Sequence, residues 1–279
     1  HLAAQRNFDG TVYLIFQPAE EGGGGAREMI KEGLFTQFPM EAVFGMHNWP
    51  GMEVGKFAVS AGPVMASSNE FKITITGKGG HAALPYMGVD PVPIACEVVT
   101  ALQALVARQF DAHDPVIATV AQINAGTAHN VIADFATLKG TLRTLSQRHR
   151  DKLHAALEQL ATGIAAAHGA SARVTITPGF PVTYCDPRAV DLGEAVAREL
   201  FGDSAFKRLD QPIMGAEDFS YVLEKIPGAM FFLGVAHEGV DWHKCPAIHS
   251  PRMMVDEEAL PRGAALLAGC AVRFLAKGF

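Results

Sequence analysis

The stretch "EFKITITG", residues 70 to 77, sets Phe71, Ile73 and Ile75 at alternate positions between polar side chains. Alternation of this length predicts a strand with one face on a core and the other in solvent. Downstream, Asp90 and Pro91 supply an N-cap and a first-turn proline for a helical stretch reaching Phe110. "PVIATVAQIN" and "DFATLKGTLRTL" read as two further strands. Ser146 caps a long helix that stops at Gly169, and "ARVTITP" supplies a last strand. The order from 70 to 178 is β-α-β-β-α-β, a split βαβ or ferredoxin-like arrangement. It predicts a domain, residues 67–178, inserted into another.

Outside that insert the texture is different. "TVYLIFQPAEEGGGGA", Thr11 to Ala26, reads as a buried strand, a turn at Pro18, two adjacent carboxylates and four glycines. A short helix is expected over Ala26 to Leu34, followed by a second apolar strand, Ala42 to Met46, ending on His47 and closed by Asn48, Trp49 and Pro50. Beyond residue 179, a helix runs from about Pro187 to Phe201 and "GAMFFLGV" is an apolar strand. The last helix has acids at its start and Lys277 at its end, matching the helix dipole. These segments, 1–66 and 179–279, predict a discontinuous α/β domain. The fold class is therefore α/β with a smaller inserted domain.

Composition narrows the functional classes. The 279 residues are 49% hydrophobic and 19% charged, with a net charge of -6, which argues against nucleic acid or an anionic membrane as partner. No uninterrupted apolar run is expected to span a bilayer, and "HLAAQRNFDG" does not resemble a signal peptide. Cys96, Cys185, Cys245 and Cys270 are irregularly spaced, which fits free thiols in a reducing cytoplasm.

Four places could carry chemistry. Glu20 and Glu21 follow a strand end, where open α/β sheets keep their ligands, and adjacent carboxylates repel unless a cation or a shared proton lies between them. A phosphate loop there fails on charge sign and lacks the G-K-[ST] pattern. His47, in "GMHNWP", taken alone reads more readily as a hydrogen-bonded structural histidine than as a ligand, and so does His249, in "CPAIHSP", with His237 and His243 upstream as its competitors. Together, a carboxylate and two imidazoles form the mixed oxygen and nitrogen set that suits Zn²⁺ or Mn²⁺. The fourth place is in the insert: His81 after Gly77, Gly79 and Gly80, Asn130 in "GTAHNVIAD", and Arg143 in "GTLRTL". Arg143 could pair with neighbouring acids or hold a substrate carboxylate in a bidentate fork.

With these residues in view, the sequence resembles the metal-dependent amidohydrolase and peptidase family of hippurate hydrolase, aminoacylase, carboxypeptidase G and the plant auxin-conjugate hydrolases. "FQPAEEGGGGA", "GMHNWPG", "GKGGHAALP", "AGTAHNVI", "GAEDFSY" and "AIHSP" match in order over essentially the whole chain. The resemblance implies a metal-binding α/β domain interrupted by a ferredoxin-like lid that also forms a homodimer. It implies a divalent metal, Zn or Mn, in a two-metal centre with Glu21, His47 and His249 as ligands. Glu20 would be general base toward water activated by the metal, and His81 would stabilise the oxyanion at the partner's site. Asn130, Arg143 and Gly215 would bind an N-acyl amino acid, hydrolysed to a carboxylic acid and a free amino acid.

The match has a gap. The family's Cys and His ligands, in a "C-G-H-D" segment, would lie upstream of His1. The expectation is a fragment with an incomplete metal centre and weak or no activity. Two rival readings are a non-catalytic dimeric protein that binds acyl amino acids or peptides, and an exopeptidase of the same family. Replacing Glu20 by Gln separates the first from an enzyme, because turnover would vanish while binding stayed.

Overall fold

In a computed structural model describing residues 1–279, Phe71, Ile73 and Ile75 are buried and Glu70, Lys72 and Thr76 are exposed, as the alternation requires. In chain order, the first segment contains the short turns α1 (Leu2–Gln5), α2 (Glu20–Gly23), α3 (Gly25–Lys31) and α4 (Leu34–Gln37). Strands β1 (Val43–Glu53), β2 (Phe57–Ala58) and β3 (Gly62–Met65) follow. Next come β4 (Asn69–Thr76), β5 (Gly80–His81), α5 (Pro91–Gln109), β6 (Val116–Ala125), β7 (Val131–Ile132), β8 (Phe135–Thr144), α6 (Gln147–Ala167) and β9 (Ser171–Pro178). The chain ends through β10 (Thr183–Cys185), α7 (Pro187–Phe201), β11 (Phe206–Lys207), α8 (Ser220–Leu223), β12 (Gly228–Ala236) and α9 (Ala259–Lys277).

These elements form two units. One comprises His1–Val64, Thr183–Pro212 and Glu217–Phe279; the other comprises Met65–Val182 with Ile213–Ala216. The second unit is an antiparallel sheet in the order β6-β8-β4-β9. Helices α5 and α6 contribute Ile94, Val98, Leu102, Leu153 and Leu157 to one core with Ile73, Ile75, Leu138 and Leu142 of the sheet. Both helices start as the sequence requires. The Asp90 carboxylate accepts from Val92 N–H, and Ser146 Oγ accepts from His149 N–H. Such caps satisfy backbone donors that the first helical turn leaves unpaired. A register shift between Val120 and Gln122 puts a bulge in the edge strand β6, a feature that bends an edge away from further pairing.

The first unit contains a sheet in the order β1-β12-β2-β11, with β1 parallel to β12 and β2 antiparallel to it. Every residue of β12 is buried, which explains its unbroken apolar sequence. Helix α9 packs on α7 and β1, burying Gly263, Leu266 and Cys270.

Two expectations need correction. Thr11 to Phe16 forms no strand: it has no ladder partner, and Leu14 and Phe16 are 74% and 86% exposed. Apolar sequence reports a tendency to bury, but a strand exists only where a neighbour offers hydrogen bonds. Second, β1 does not stop at His47; it runs on through Asn48, Trp49 and Pro50 to Glu53 because Met46 to Trp49 pair in register with Phe231 to Gly234. Helices α5 and α9 have the length and mean hydropathy, 1.3 each, of a membrane span, although charged residues such as Glu97 and Arg262 interrupt both. Each nonetheless buries one stripe of its surface on neighbouring elements of its own unit.

Candidate metal and acid-base site

The Glu20–Glu21 turn is built from unusual backbone. Ala19 has φ 52, Gly22 φ 93 and Gly24 φ 63, so the chain passes three times through the left-handed region within six residues. Glycine takes that conformation freely, whereas alanine holds it only when its surroundings enforce it. The turn closes tightly at its base: a Cβ on Gly25 would lie 1.8 Å from the Pro18 carbonyl oxygen. Only glycine allows residues 18 and 25 to approach so closely.

Two groups of side chains meet at this turn. Glu21 Oε1 lies 3.0 Å from His249 Nε2, and both side chains are exposed. His249 itself has φ 70, a rare conformation for a residue with a Cβ. Glu20 lies with Glu217 and Asp218, one carboxylate oxygen of each falling within 4.8 Å of the other two. Asp218 is 0% exposed and Glu217 5%. Burial, then the charges of Glu217, Glu21 and Asp218, raise the Glu20 carboxyl from 4.5 to about 7, against a lowering influence from His47. Burial also raises Glu217 and Asp218.

The acid trio and the Glu21–His249 pair differ in what they can still bind. Asp218 Oδ2 accepts from Ala26 N–H at 2.9 Å and its Oδ1 from Gln17 Nε2. Glu217 Oε1 accepts from Phe219 N–H at 3.1 Å. Buried carboxylates with donors already in place are satisfied by protein. Glu21 and His249 are open to solvent and present one oxygen and one nitrogen donor side by side. That mixed pair suits Zn²⁺ or Mn²⁺, whereas an all-carboxylate set suits Mg²⁺ or Ca²⁺. His47 stands in β1 with Nδ1 2.6 Å from the Asn48 carbonyl oxygen and its ring 6.0 Å from that of Phe232. Its charge is felt at Glu20, but it belongs neither to the trio nor to the pair.

The remaining sequence candidates lie in the second unit. His81 is exposed on β5, paired with Val131 of β7, and its Nδ1 accepts from Ala83 N–H at 3.1 Å. A ring nitrogen that accepts carries no hydrogen, so the neutral imidazole has its N–H at Nε2. Asn130 is exposed beside it, its backbone carbonyl accepting from Ala82 N–H at 3.0 Å. The Gly79 turn before His81 is held by the Asp134 carboxylate, which accepts from Gly79 N–H. Arg143 Nη1 donates to the Met214 carbonyl at 2.9 Å, a backbone partner rather than an acid. Gly215 lies in the same short segment, which Ala66 N–H also holds through Ile213 and Gly215 carbonyls.

The chain matches the family described as Peptidase family M20/M25/M40 over residues 1–273. It belongs to that family. An IAA-amino acid hydrolase of Arabidopsis thaliana is 40% identical over 275 residues, covering 97% of this chain and 61% of the relative. The hippurate hydrolase of Campylobacter jejuni is 35% identical over 275 residues, covering 99% and 70%. A crystal structure of the Bacillus subtilis YXEP protein, described as a dinuclear metal binding peptidase, superposes with a TM-score of 0.83 at 32% identity, covering 99% of this chain and 69% of the other. The chain thus spans about three-fifths of the length of the plant relative.

Residue-type reasoning did not single out Gln17, Glu217 or Asp218. A signal was present: "GAEDF" repeats the pattern of "PAEEG", adjacent acids beside small residues between apolar stretches.

Proposed function

We propose that the whole M20 protein to which this chain belongs hydrolyses the amide bond of N-acyl amino acids with a divalent metal, Zn or Mn. The observation that carries this reading is the pairing of Glu21 with His249 directly beside Glu20, whose carboxyl is raised to about 7. Glu21, His249 and His47 are the residues that would hold the metal. When bound, it supplies Lewis acidity toward water and the scissile carbonyl.

The protein's own groups do the rest. With a pKa near the working pH, Glu20 takes a proton from the attacking water and returns it to the leaving amine, a role typically worth about 10²–10⁴-fold in rate. His81, with its hydrogen on Nε2, suits donation to a developing oxyanion. Asn130, the free N–H groups of Arg143, and Gly215 would orient the acyl amino acid. In this reading residues 67–178 are the ferredoxin-like lid and dimerisation domain, 1–66 and 179–279 the metal-binding domain, and the enzyme is a cytoplasmic homodimer. The names of the relatives, an IAA-amino acid hydrolase and a hippurate hydrolase, support the substrate class.

Hippurate and a panel of N-acetyl amino acids, incubated with the protein and Zn²⁺ or Mn²⁺, test the reading. Glu20→Gln should remove turnover and leave metal affinity within a few-fold. Turnover that survives Glu20→Gln, or that persists in full under chelation, would end it.

A further inference from the structure

The Glu20–Glu21 turn is an exposed, glycine-rich loop, yet it must hold two carboxylates in fixed and different directions. What fixes it is at its base. Gln17 and Pro18 enter the loop, Gly25 and Ala26 leave it, and Pro18 and Gly25 are in backbone contact. Asp218, about two hundred residues away in sequence, reaches both sides: one oxygen accepts from the Gln17 side-chain amide, the other from Ala26 N–H at 2.9 Å. Asp218 is itself immobilised. Ser220 Oγ donates to the Glu217 carbonyl at 2.6 Å, and the Phe219 ring lies over β1 where a Cβ on Gly45 would come within 2.8 Å of it. An unbroken path of contacts therefore runs from the central sheet through Gly45, Phe219 and Asp218 to both ends of the loop. Between those ends Ala19, a residue with a Cβ, holds left-handed backbone that an unclosed loop would not keep.

We propose that Asp218 is the positioning residue of this site, a clamp that closes the loop by accepting from Gln17 and Ala26 and so fixes where Glu20 and Glu21 point. The inference rests on the reading of Glu21 as a metal ligand, and the test separates the two.

Hydrogen exchange on the metal-free full chain compares the parent with Asp218→Ala, Asp218→Asn and Gln17→Leu. Asp218→Ala is expected to speed exchange of the Ala26 amide and of residues 19–25 by about tenfold or more, while amides of β4 and β8 stay protected. In Asp218→Asn the oxygen still accepts from Ala26 and the new amide can donate to a turned Gln17, so exchange should match the parent. Gln17→Leu removes one arm and should give an intermediate rise. Unchanged exchange at Ala26 in Asp218→Ala, or loosening by Asn equal to that by Ala, overturns the clamp. If Asp218→Ala does not fold, seen as lost protection in β4 and β8, Gln17→Leu decides alone, and unchanged exchange at 19–25 overturns it. Zn²⁺ titration is the second readout: about tenfold weaker binding in Asp218→Ala and parental binding in Asp218→Asn are expected. Equal Zn²⁺ affinity in Asp218→Ala and parent would reject the positioning role. A parent that binds no Zn²⁺ would sink the metal-ligand reading instead, leaving the exchange data to judge the clamp.

Discussion

His249 Nε2 lies 3.0 Å from Glu21 Oε1 across 228 positions of sequence, with both side chains in solvent. An exposed carboxylate–imidazole contact of this kind stabilises a fold by at most about 1 kcal/mol. It is a weak reason to hold His249 at φ 70. Metal binding is a stronger one. Glu21→Gln or His249→Ala should weaken Zn²⁺ binding by about 100-fold or more while lowering Tm by no more than a few degrees. Isothermal titration and thermal melts of the same samples check both halves.

Glu20 links stability to pH. Its carboxyl titrates near 7 in the folded protein against 4.5 ordinarily. Between those values the folded state keeps a proton that the unfolded state has released, so stability falls as pH rises through this window. Glu20→Gln removes the penalty. With chelator present, the variant should melt higher than the parent at pH 8, by roughly 2–4 °C, and the gap should close toward pH 4.5. Equal melting temperatures at pH 8 would show that the acid trio does not strain the folded state.

Gly25→Ala should displace the Pro18 carbonyl, because the new Cβ would sit 1.8 Å from its oxygen. Backbone must move, and overpacking of this kind costs about 1–3 kcal/mol. Denaturant melts should report a loss of that size, and amides of residues 17–26 should exchange faster. A fully stable Gly25→Ala protein would mean that the neck of the loop is not closed.

The four cysteines should separate by reactivity. Burial pushes the Cys185 and Cys270 thiols up to about 12, and both side chains are inaccessible. Cys96 is exposed and Cys245 partly so. Thiolates, not thiols, react. A maleimide reagent should therefore label Cys96 and Cys245 in the native protein and reach Cys185 and Cys270 only after denaturation. Mass spectrometry of native and unfolded samples reads this directly.

Local rules carried much of the architecture. The alternation at 71, 73 and 75, the Asp90 and Ser146 caps, and the helix from Pro187 to Phe201 all appear where the residues predict them. Each depends on interactions within a few positions: a pleat of period two, an oxygen reaching a nearby N–H, a proline at a first turn. Reading failed where the answer lay with a distant neighbour. Thr11 to Phe16 is as apolar as a buried strand but has nothing to pair with, and β1 continues past Pro50 only because β12 lies alongside it.

The site divides along the same line. From sequence alone came the adjacent acids, the glycines that let the chain turn, and the histidines able to join them, because residue type and local backbone freedom are written in the residues themselves. Only the tertiary structure decided that Glu21 meets His249, that Glu20 shares its surroundings with Glu217 and Asp218, and that Gln17 and Ala26 share one carboxylate. Those relationships span about two hundred positions, and a carboxylate's partner, pKa and direction are set by what the fold brings within a few ångströms of it.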